Sequence, residues 1–190
     1  MFGKSPRGRL GNYISQIRGV SYKPSDLSLE LDQDHVTLLR ANNISGNQII
    51  LDDVQFVSNS KVTDIQVIQT EDILMCASSG SLEHVGKIAL CRLSGKYTFG
   101  AFCKIIRATG SLQPKYIAAY MSGDECRRTI MELAQGTNIN NLRNEHIDEL
   151  QIPIPPESLQ SKFVAFLDQS DKSKFVAGSI SNWNLNLSKS

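Results

Sequence analysis

Short apolar runs separated by turn-forming segments dominate the first two-thirds of the chain, and they constrain its fold more than any other feature. The intervening segments are rich in Asn, Ser and Gly, which favour turns. Because the runs recur at irregular spacing, they predict a mixed, mostly antiparallel sheet structure rather than regular β-α-β units. Six runs are rich in β-branched and apolar residues and fit half-buried strands. They are Val36–Ala41, Gln48–Leu51, Val54–Val57, Ile73–Ala77, Lys87–Arg92 and Phe99–Ala108.

Helical signals follow these strands. A helix is predicted over Pro114–Met121, because proline suits a first helical turn. Ser122 and Glu125 fit a capping box for a second helix, which Gly136 would end. A short helical turn is predicted over Glu145–Leu150, and the QIPIPP segment after it must be extended because residues before proline avoid the helical region.

From Pro156 onward the apolar residues recur at helical spacing, which predicts one long amphipathic helix of the coiled-coil type. At about 1.5 Å per residue, such a helix would extend well beyond a compact domain. Either a second helix or the chain's own sheet could cover its apolar stripe. We therefore expect an α/β (α+β) protein with a β-rich domain with short helices over residues 1–154 and a long helix over 155–190. The stripe comprises Leu159, Phe163, Phe166, Leu167, Val176, Ile180, Trp183 and Leu187.

Several protein classes are unexpected from this sequence. No stretch approaches the roughly 18–20 apolar residues of a membrane span, and the polar, basic N-terminal segment has no apolar signal region, so we expect a cytoplasmic protein. The four cysteines lie too far apart for a metal motif or a dense disulfide framework, which favours buried, reduced thiols. They are Cys76, Cys91, Cys103 and Cys126.

Catalytic motifs are also missing from the sequence. The nearest approach to a phosphate-binding loop, between Gly80 and Gly86-Lys87, has one residue too many, and Ile88 stands where Ser or Thr should be. The acidic pairs Asp52-Asp53 and Glu71-Asp72 are interpreted as solvated turn residues. We therefore expect no active site and no metal site in this chain.

Charge is distributed in blocks on a chain of net charge +1. Residues 1–24 carry five basic side chains and no acid, residues 25–72 carry nine acids against two basic residues, and residues 73–116 carry six basic residues against one acid. A near-neutral total argues against non-specific coating of nucleic acid, although two basic stretches on one face could still form a DNA-binding surface. From charge alone, solvated faces are the simpler interpretation.

Four segments together resemble type I restriction-modification specificity subunits. Leu10–Lys23 is similar to the opening of a target recognition domain, Thr37–Ile44 to its next strand, and Glu71–Leu90 to an acidic turn, a strand, a Ser-Gly loop and a returning strand. Gly136–Phe166 is the most specific match, because it resembles the polar loop, the Pro-x-Pro-Pro exit and the start of the conserved helix. The family usually has an acidic residue where this chain has Leu159 before Gln160. The usual subunit also has two recognition domains and two conserved helices, so this chain resembles a half-length form.

The resemblance implies a DNA-reading subunit that catalyses nothing and binds no cofactor itself. Its recognition domain would place loops in the major groove of double-stranded DNA, where all four base pairs can be distinguished. Its helix would form a homodimer seam and dock the methyltransferase (M) subunit, which carries S-adenosylmethionine, while a separate ATP-driven restriction (R) subunit would cleave. A stand-alone DNA-binding regulator or a protein-interaction module remains the alternative, and co-purification of a methyltransferase would discriminate them.

Polar clusters at the ends of strands are the candidate DNA contacts, because Asn, Arg and Ser on rigidly held loops can read base edges. The same residue types also form ordinary turns. The candidates are Tyr22, Lys23, Arg40, Asn42, Asn43, Ser79, Ser81, His84, Lys87, Thr137, Asn138, Asn140 and Asn141.

Overall fold

The computed structural model describes residues 5–135 and 140–170, with only the backbone of Asn140. Within the chain, the backbone contacts separate two compact units, Met1–Ile154 and Pro155–Ser190. The first unit is β-rich with short helices. Its strands are β1 (Arg7–Arg9), β2 (Ile14–Arg18), β3 (Leu27–Ser28), β4 (His35–Leu39), β5 (Ile44–Ser45), β6 (Gln48–Ile49), β7 (Gln55–Ser58), β8 (Ile73–Cys76), β9 (Ser78–Ser79), β10 (Ile88–Leu90), β11 (Tyr97–Phe99), β12 (Cys103–Ala108), β13 (Asn140–Asn141) and β14 (Gln151–Pro153). Its helices are α1 (Pro114–Ser122), α2 (Asp124–Ala134) and α3 (Asn144–Asp148).

Two four-stranded sheets form the body of the first unit. In one sheet the strand order is β10-β8-β12-β2, and every neighbouring pair is antiparallel. In the other the order is β11-β4-β7-β3, and β11 runs parallel to β4 while the remaining pairs are antiparallel. The prediction of a mixed, mostly antiparallel fold is confirmed.

The start and the end of the first unit are paired with each other. Strand β1 lies antiparallel to β14, with Arg7 opposite Pro153. The pairing is extended on both sides, because the Leu10 amide donates to the Leu150 carbonyl at 2.8 Å and the Ile154 amide donates to the Pro6 carbonyl at 2.7 Å. The predicted extended exit segment is thus a strand of this small sheet.

The core lies where the two sheets contribute alternate apolar side chains. The larger cluster joins Ile17, Leu74 and Ile105 of the antiparallel sheet to Leu39 and Phe99 of the mixed sheet. A smaller cluster of Val36, Leu38 and Val57 lies within the mixed sheet, with Tyr22 against it. Burying apolar surface at about 25 cal/mol per Å² is the main force that holds such sheets together.

All four cysteines are buried and free, which confirms their predicted role as core residues. Burial raises the pKa of each thiol, to about 12 for Cys91 and Cys126 and in the same direction for Cys76 and Cys103. Because the thiolate is the reactive form, these side chains are chemically inert in the folded protein.

Three local predictions were wrong. Phe99–Ala108 is not one strand, because a turn at residues 100–102 separates β11 from β12 and sends them into different sheets. The Ser122 hydroxyl donates to the Ala118 carbonyl within α1 at 2.9 Å, and α2 begins without a side-chain cap.

The third correction concerns Asp72, which is 2% exposed rather than a solvated turn residue. Its carboxylate accepts two hydrogen bonds of 2.7 Å from the guanidinium of Arg107, on the neighbouring strand segment. It also accepts the Gln69 amide at 2.8 Å. This pair removes Arg107 from the basic residues that could meet DNA.

The second unit is helical over residues 157–170. Within it, the Gln160 side-chain amide donates to the Pro155 carbonyl at 3.0 Å, which fixes the first turn of the helix. Phe166 is 60% exposed, and Leu159, Phe163 and Leu167 are half-buried. The rest of the predicted helix lies outside the described residues, and so do the remaining residues of the predicted stripe, Val176, Ile180, Trp183 and Leu187. No helix among the described residues is long and apolar enough to cross a membrane.

Candidate nucleic-acid interface

Two of the predicted polar clusters meet in a short antiparallel pairing. Strand β9 pairs with β13, so that Ser79 lies opposite Asn140 and Ser78 lies opposite Asn141. The Leu142 amide continues the pairing by donating to the Ala77 carbonyl at 2.8 Å. Residues that are about sixty positions apart in the sequence therefore share one edge. We call residues 77–87 and 140–144 the paired loops.

The first of the paired loops is held by its own backbone. The Gly86 amide donates to the Cys76 carbonyl at 2.8 Å, and the Cys76 amide donates to the Lys87 carbonyl at 2.9 Å. Gly86 has a φ of +73°, and a Cβ there would lie 2.3 Å from the Ile130 side chain, so glycine is required by both conformation and space. Ser81 and His84 are exposed at the outer part of this loop, and Lys87 is half-buried.

Arg127, on helix α2, fastens the same loop from outside. Its guanidinium donates to the Val85 carbonyl at 2.8 Å and to the Glu83 carbonyl at 3.4 Å. Burial lowers the pKa of Arg127, and the two carbonyl oxygens supply the polar contacts that a partly buried cation needs. The predictions from the sequence missed this residue, because nothing in a helical arginine indicates that it contacts a loop more than forty positions earlier.

Lys104, on β12, anchors the second of the paired loops. Its ammonium group donates to the Asn144 side-chain oxygen at 2.8 Å, to Gln16 Oε1 at 3.0 Å and to the Leu142 carbonyl at 3.2 Å. The residue is 7% exposed, and this burial lowers its pKa to about 8, an effect that the charges of Asp148 and Glu145 partly oppose. The signal in the sequence is a lysine inside a run of apolar residues, although the charge blocks alone favour a solvated face.

Gln16 completes this anchor. Its side-chain amide donates to the Asn144 carbonyl at 2.9 Å and to Asp148 Oδ1 at 2.7 Å. Strands β2 and β12 thereby hold both ends of α3, which begins at the last residue of the second loop. The polar edge is therefore mounted on the antiparallel sheet by contacts that leave little freedom in the backbone of residues 142–148.

The Arg40–Asn43 cluster is occupied by internal contacts. The Asn43 side chain is 1% exposed and donates to the carbonyls of Ile50 and Asp53, while it accepts the Arg40 amide. The Arg40 guanidinium and the Asn42 amide both donate to Asp53, at 2.9 Å and 2.6 Å. This corrects the sequence-based assignment: Asn43 is a turn-forming core residue, and the donors of Arg40 and Asn42 meet a carboxylate of this chain.

Tyr22 and Lys23 lie at the edge of the mixed sheet. The Tyr22 hydroxyl donates to Gln55 Oε1 at 3.3 Å, and its ring is half-buried. Lys23 is exposed, and its backbone amide donates to Asp26 at 2.8 Å, a hydrogen bond that is the main cause of the lowered pKa of that carboxyl. Of the two side chains, that of Lys23 is the more exposed.

The described part of the interface consists of hydroxyls, amides, an imidazole and amines. Over residues 5–135 and 140–170 there is no group of three or more His, Cys, Asp and Glu residues that could hold a metal ion. Thr137 and Asn138 lie outside the described residues, and the Asn140 side chain is not described. Together, the hydroxyls, amides, imidazole and amines of the described part can form hydrogen bonds with base edges and phosphates.

A protein-family model shows which family this chain belongs to. Residues 39–179 match the model of the type I restriction modification DNA specificity domain. The chain belongs to that DNA specificity family. The resemblance seen in the sequence is thereby confirmed over most of the chain.

Two curated proteins that this chain resembles are specificity subunits of type I restriction enzymes. The specificity subunit of the type I restriction enzyme StySPI of Salmonella potsdam is 36% identical over 170 residues, which cover 87% of this chain and 37% of that subunit. The EcoKI specificity subunit of Escherichia coli (strain K12) matches with the same identity and coverage. The chain thus spans little more than a third of the length of these relatives.

Solved structures show the same fold. The HsdS subunit of Thermoanaerobacter tengcongensis aligns with a TM-score of 0.65 and 17% identity over 91% of this chain and 38% of that one. The S subunit of the type I system of M. genitalium aligns with a TM-score of 0.61 and 16% identity over 90% of this chain and 40% of that one. At these identities the likeness concerns the fold alone.

Proposed function

We propose that this chain reads a specific sequence of double-stranded DNA through its paired loops, and that it directs a separate methyltransferase (M) subunit and an ATP-dependent restriction (R) subunit to that sequence. The observation that carries the proposal is the β9–β13 pairing, which brings the serine cluster and the asparagine cluster to one edge. Membership in the DNA specificity family supports it.

Rigid mounting is what makes this edge suitable for reading bases. A side chain discriminates between base pairs only if its donors and acceptors are fixed relative to the groove. Arg127 holds the first loop and Lys104 holds the second, each by at least two hydrogen bonds. The backbone that carries the exposed side chains of Ser81, His84 and Asn141 is therefore held in place, and these side chains would contact DNA from defined positions.

The chain would supply specificity and no chemistry. The methyl donor and the catalytic groups belong to the methyltransferase subunit in this scheme, and the complex would act in the cytoplasm. Lys23, Ser79, Lys87, Thr137, Asn138 and Asn140 complete the proposed contact surface, whereas Asn43 is withdrawn from it because it is buried.

A binding selection tests the proposal directly. The full chain, alone and with its methyltransferase partner, is used to select duplexes from a random pool, and the affinity for the selected duplex is compared with that for a scrambled one. Asn141→Ala should reduce the preference for the selected duplex by about 10-fold, as the loss of one bidentate base contact would. Asn12→Ala, an exposed asparagine outside the contact surface, serves as the matched control.

Equal affinity for selected and scrambled duplexes would contradict sequence reading. Purification of the chain from cells distinguishes the remaining alternatives, because a methyltransferase bound to this chain is expected only of a specificity subunit. A stand-alone regulator would select a duplex without such a partner, and a protein-interaction module would select none.

We further propose that two copies pair through the helix that begins at residue 157. Its described part carries the apolar stripe of Leu159, Phe163, Phe166 and Leu167, and Phe166 is largely exposed. A two-fold pair is self-complementary, so its two recognition units would read inverted half-sites. Their spacing would follow from the length of the helices.

Light scattering tests this pairing. The wild-type chain at tens of micromolar should have the mass of a dimer, and Phe166→Asp should give monomers because it places a charge in the apolar seam. Ala165→Asp is the matched control, since Ala165 is exposed on the same helix but outside the stripe. A monomeric wild type would leave a second specificity chain as the required partner.

A further inference from the structure

Phe102 is a large aromatic side chain held out into solvent by a tight turn. It is 66% exposed, and it occupies the turn that links β11 to β12. The Cys103 amide closes this turn by donating to the Gly100 carbonyl at 2.8 Å. The Phe102 carbonyl accepts both the Ala77 amide at 2.9 Å and the Ser78 amide at 3.0 Å, so the backbone that carries the ring is fixed.

The turn also lies among the polar clusters. On one side, Ser78 leads into β9, which pairs with Asn140 and Asn141. On the other side, the Gly100 amide donates to the Leu39 carbonyl at 2.9 Å, directly before Arg40. A Cβ at Gly100 would lie 3.4 Å from the Tyr22 ring, so the third cluster is adjacent as well.

The chemistry of the surroundings indicates what this ring could contact. The neighbouring side chains on the paired loops are hydroxyls, amides and amines, which suit phosphates and the polar atoms of bases. On the major-groove edges of the base pairs, the apolar group is the 5-methyl group of thymine, and an aromatic side chain is a suitable partner for it. Placing the ring against that methyl group would remove from water an apolar surface that the free protein exposes.

We propose that Phe102 reads a thymine by packing its ring against the 5-methyl group in the major groove. The proposal rests on the proposed DNA-reading function and assigns to it a residue that the sequence had placed inside a strand. Because the backbone that carries the ring is already fixed, the contact restricts few further degrees of freedom. Loss of the Phe102 contact should therefore weaken binding at one base position only.

Uracil substitution in the selected duplex tests the contact atom by atom. Each thymine is replaced in turn by uracil, which lacks only the methyl group, and affinities are measured for the full wild-type chain and for Phe102→Ala. At one position the wild type should lose about fourfold in affinity, the ratio expected for one buried methyl group at about 0.8 kcal/mol. Phe102→Ala should bind the thymine and uracil duplexes equally at that position.

Two further variants complete the design. Phe102→Leu should keep part of the thymine preference, because its side chain is still apolar and long enough to reach a methyl group. Leu29→Ala removes an exposed apolar side chain elsewhere, at 97% exposure, and should keep the full wild-type preference.

The failures of the two proposals are distinguishable. A wild-type chain that selects no duplex overturns the DNA-reading function together with this inference. A chain that selects a duplex in which no uracil position matters, or in which Phe102→Ala shows the wild-type response to uracil, overturns the role of Phe102 and leaves the DNA-reading function standing.

Discussion

Lys104→Met should change how the stability of this protein responds to pH. In the folded protein the Lys104 ammonium group is buried among three oxygen acceptors, and its pKa is lowered to about 8 from an ordinary value of 10.5. In the unfolded chain the group is solvated and holds its proton to much higher pH. Through this group the unfolded state therefore binds more protons than the folded state between pH 8 and pH 10.5, and the contribution of Lys104 to stability rises with pH in that window.

The size of the effect follows from the two pKa values. Well below pH 8 the lysine is charged in both states, and burying the charge costs about 3 kcal/mol, since each pKa unit corresponds to roughly 1.4 kcal/mol. Deprotonation in the folded state relieves part of this cost, about 1 kcal/mol between pH 7 and pH 9. Methionine has no proton to lose, so the variant lacks this contribution.

The buried thiols act in the opposite direction. Their raised pKa values keep them protonated in the folded protein while they ionise in the unfolded chain, so they lower stability above pH 9. Because Cys91 and Cys126 are present in both proteins, their contribution cancels in the comparison of wild type with variant.

Urea unfolding of both proteins at pH 7, 8 and 9 measures the difference. The unfolding free energy of the wild type minus that of Lys104→Met should rise by about 1 kcal/mol across this range. Lys104→Arg is a second reference, since arginine stays charged throughout. A difference that is constant or that falls with pH would refute the assignment of a buried, neutralising lysine.

Three further predictions follow from the anchors and the surface charge. Arg127→Met removes the donors to two carbonyls, so it should accelerate hydrogen exchange at the amides of Val85–Lys87 and destabilise the protein by about 1–3 kcal/mol. Arg128→Met, at the exposed neighbouring position, should do neither. Asp72→Asn should cost about 3–5 kcal/mol in urea unfolding because it leaves the Arg107 charge unpaired, and a loss below about 1 kcal/mol would contradict a buried pair. Binding to the selected duplex should weaken only moderately as the salt concentration rises. Each phosphate contact adds about 0.9 to the steepness of log affinity plotted against log salt concentration, and a slope as steep as that of a highly basic protein would contradict the prediction.

Several elements could be predicted from the sequence because they depend on local patterning, whereas others, such as strand β2, were not predicted. Strand β8 falls within the predicted run Ile73–Ala77, and helix α1 starts at the predicted Pro114. Apolar periodicity and a proline in the first turn are signals that neighbouring residues carry by themselves.

What failed depends on contacts between distant residues. Phe99–Ala108 looked continuous, and only the Ala77, Ser78 and Leu39 backbone groups that bond to the turn explain why the strand breaks at Gly100. The sequence around Asp72 resembles a turn, and only the tertiary structure places its partner Arg107 beside it. The anchoring roles of Lys104 and Arg127 likewise depend on loops that lie roughly forty positions away.

The candidate site divides in the same way. The serine and asparagine clusters were recognised by composition, but the sequence does not show that β9 and β13 pair. Asn43 has the same composition signal, and the structure uses it to hold Ile50 and Asp53 instead. Residue type indicates where hydrogen-bonding capacity lies, and only the tertiary structure decides whether DNA or the chain itself uses it.

The pairing of β1 with β14 gives the first unit a single point of attachment. Arg7 and Pro153 lie side by side, so the polypeptide enters and leaves the unit at neighbouring positions. A body attached in this way can be spliced into another polypeptide, or exchanged for a different one, without spreading apart the segments that flank it. If this unit reads DNA as proposed, exchange of the whole unit at joints near residues 6 and 154 would change the DNA sequence that is read without any change in the flanking segments.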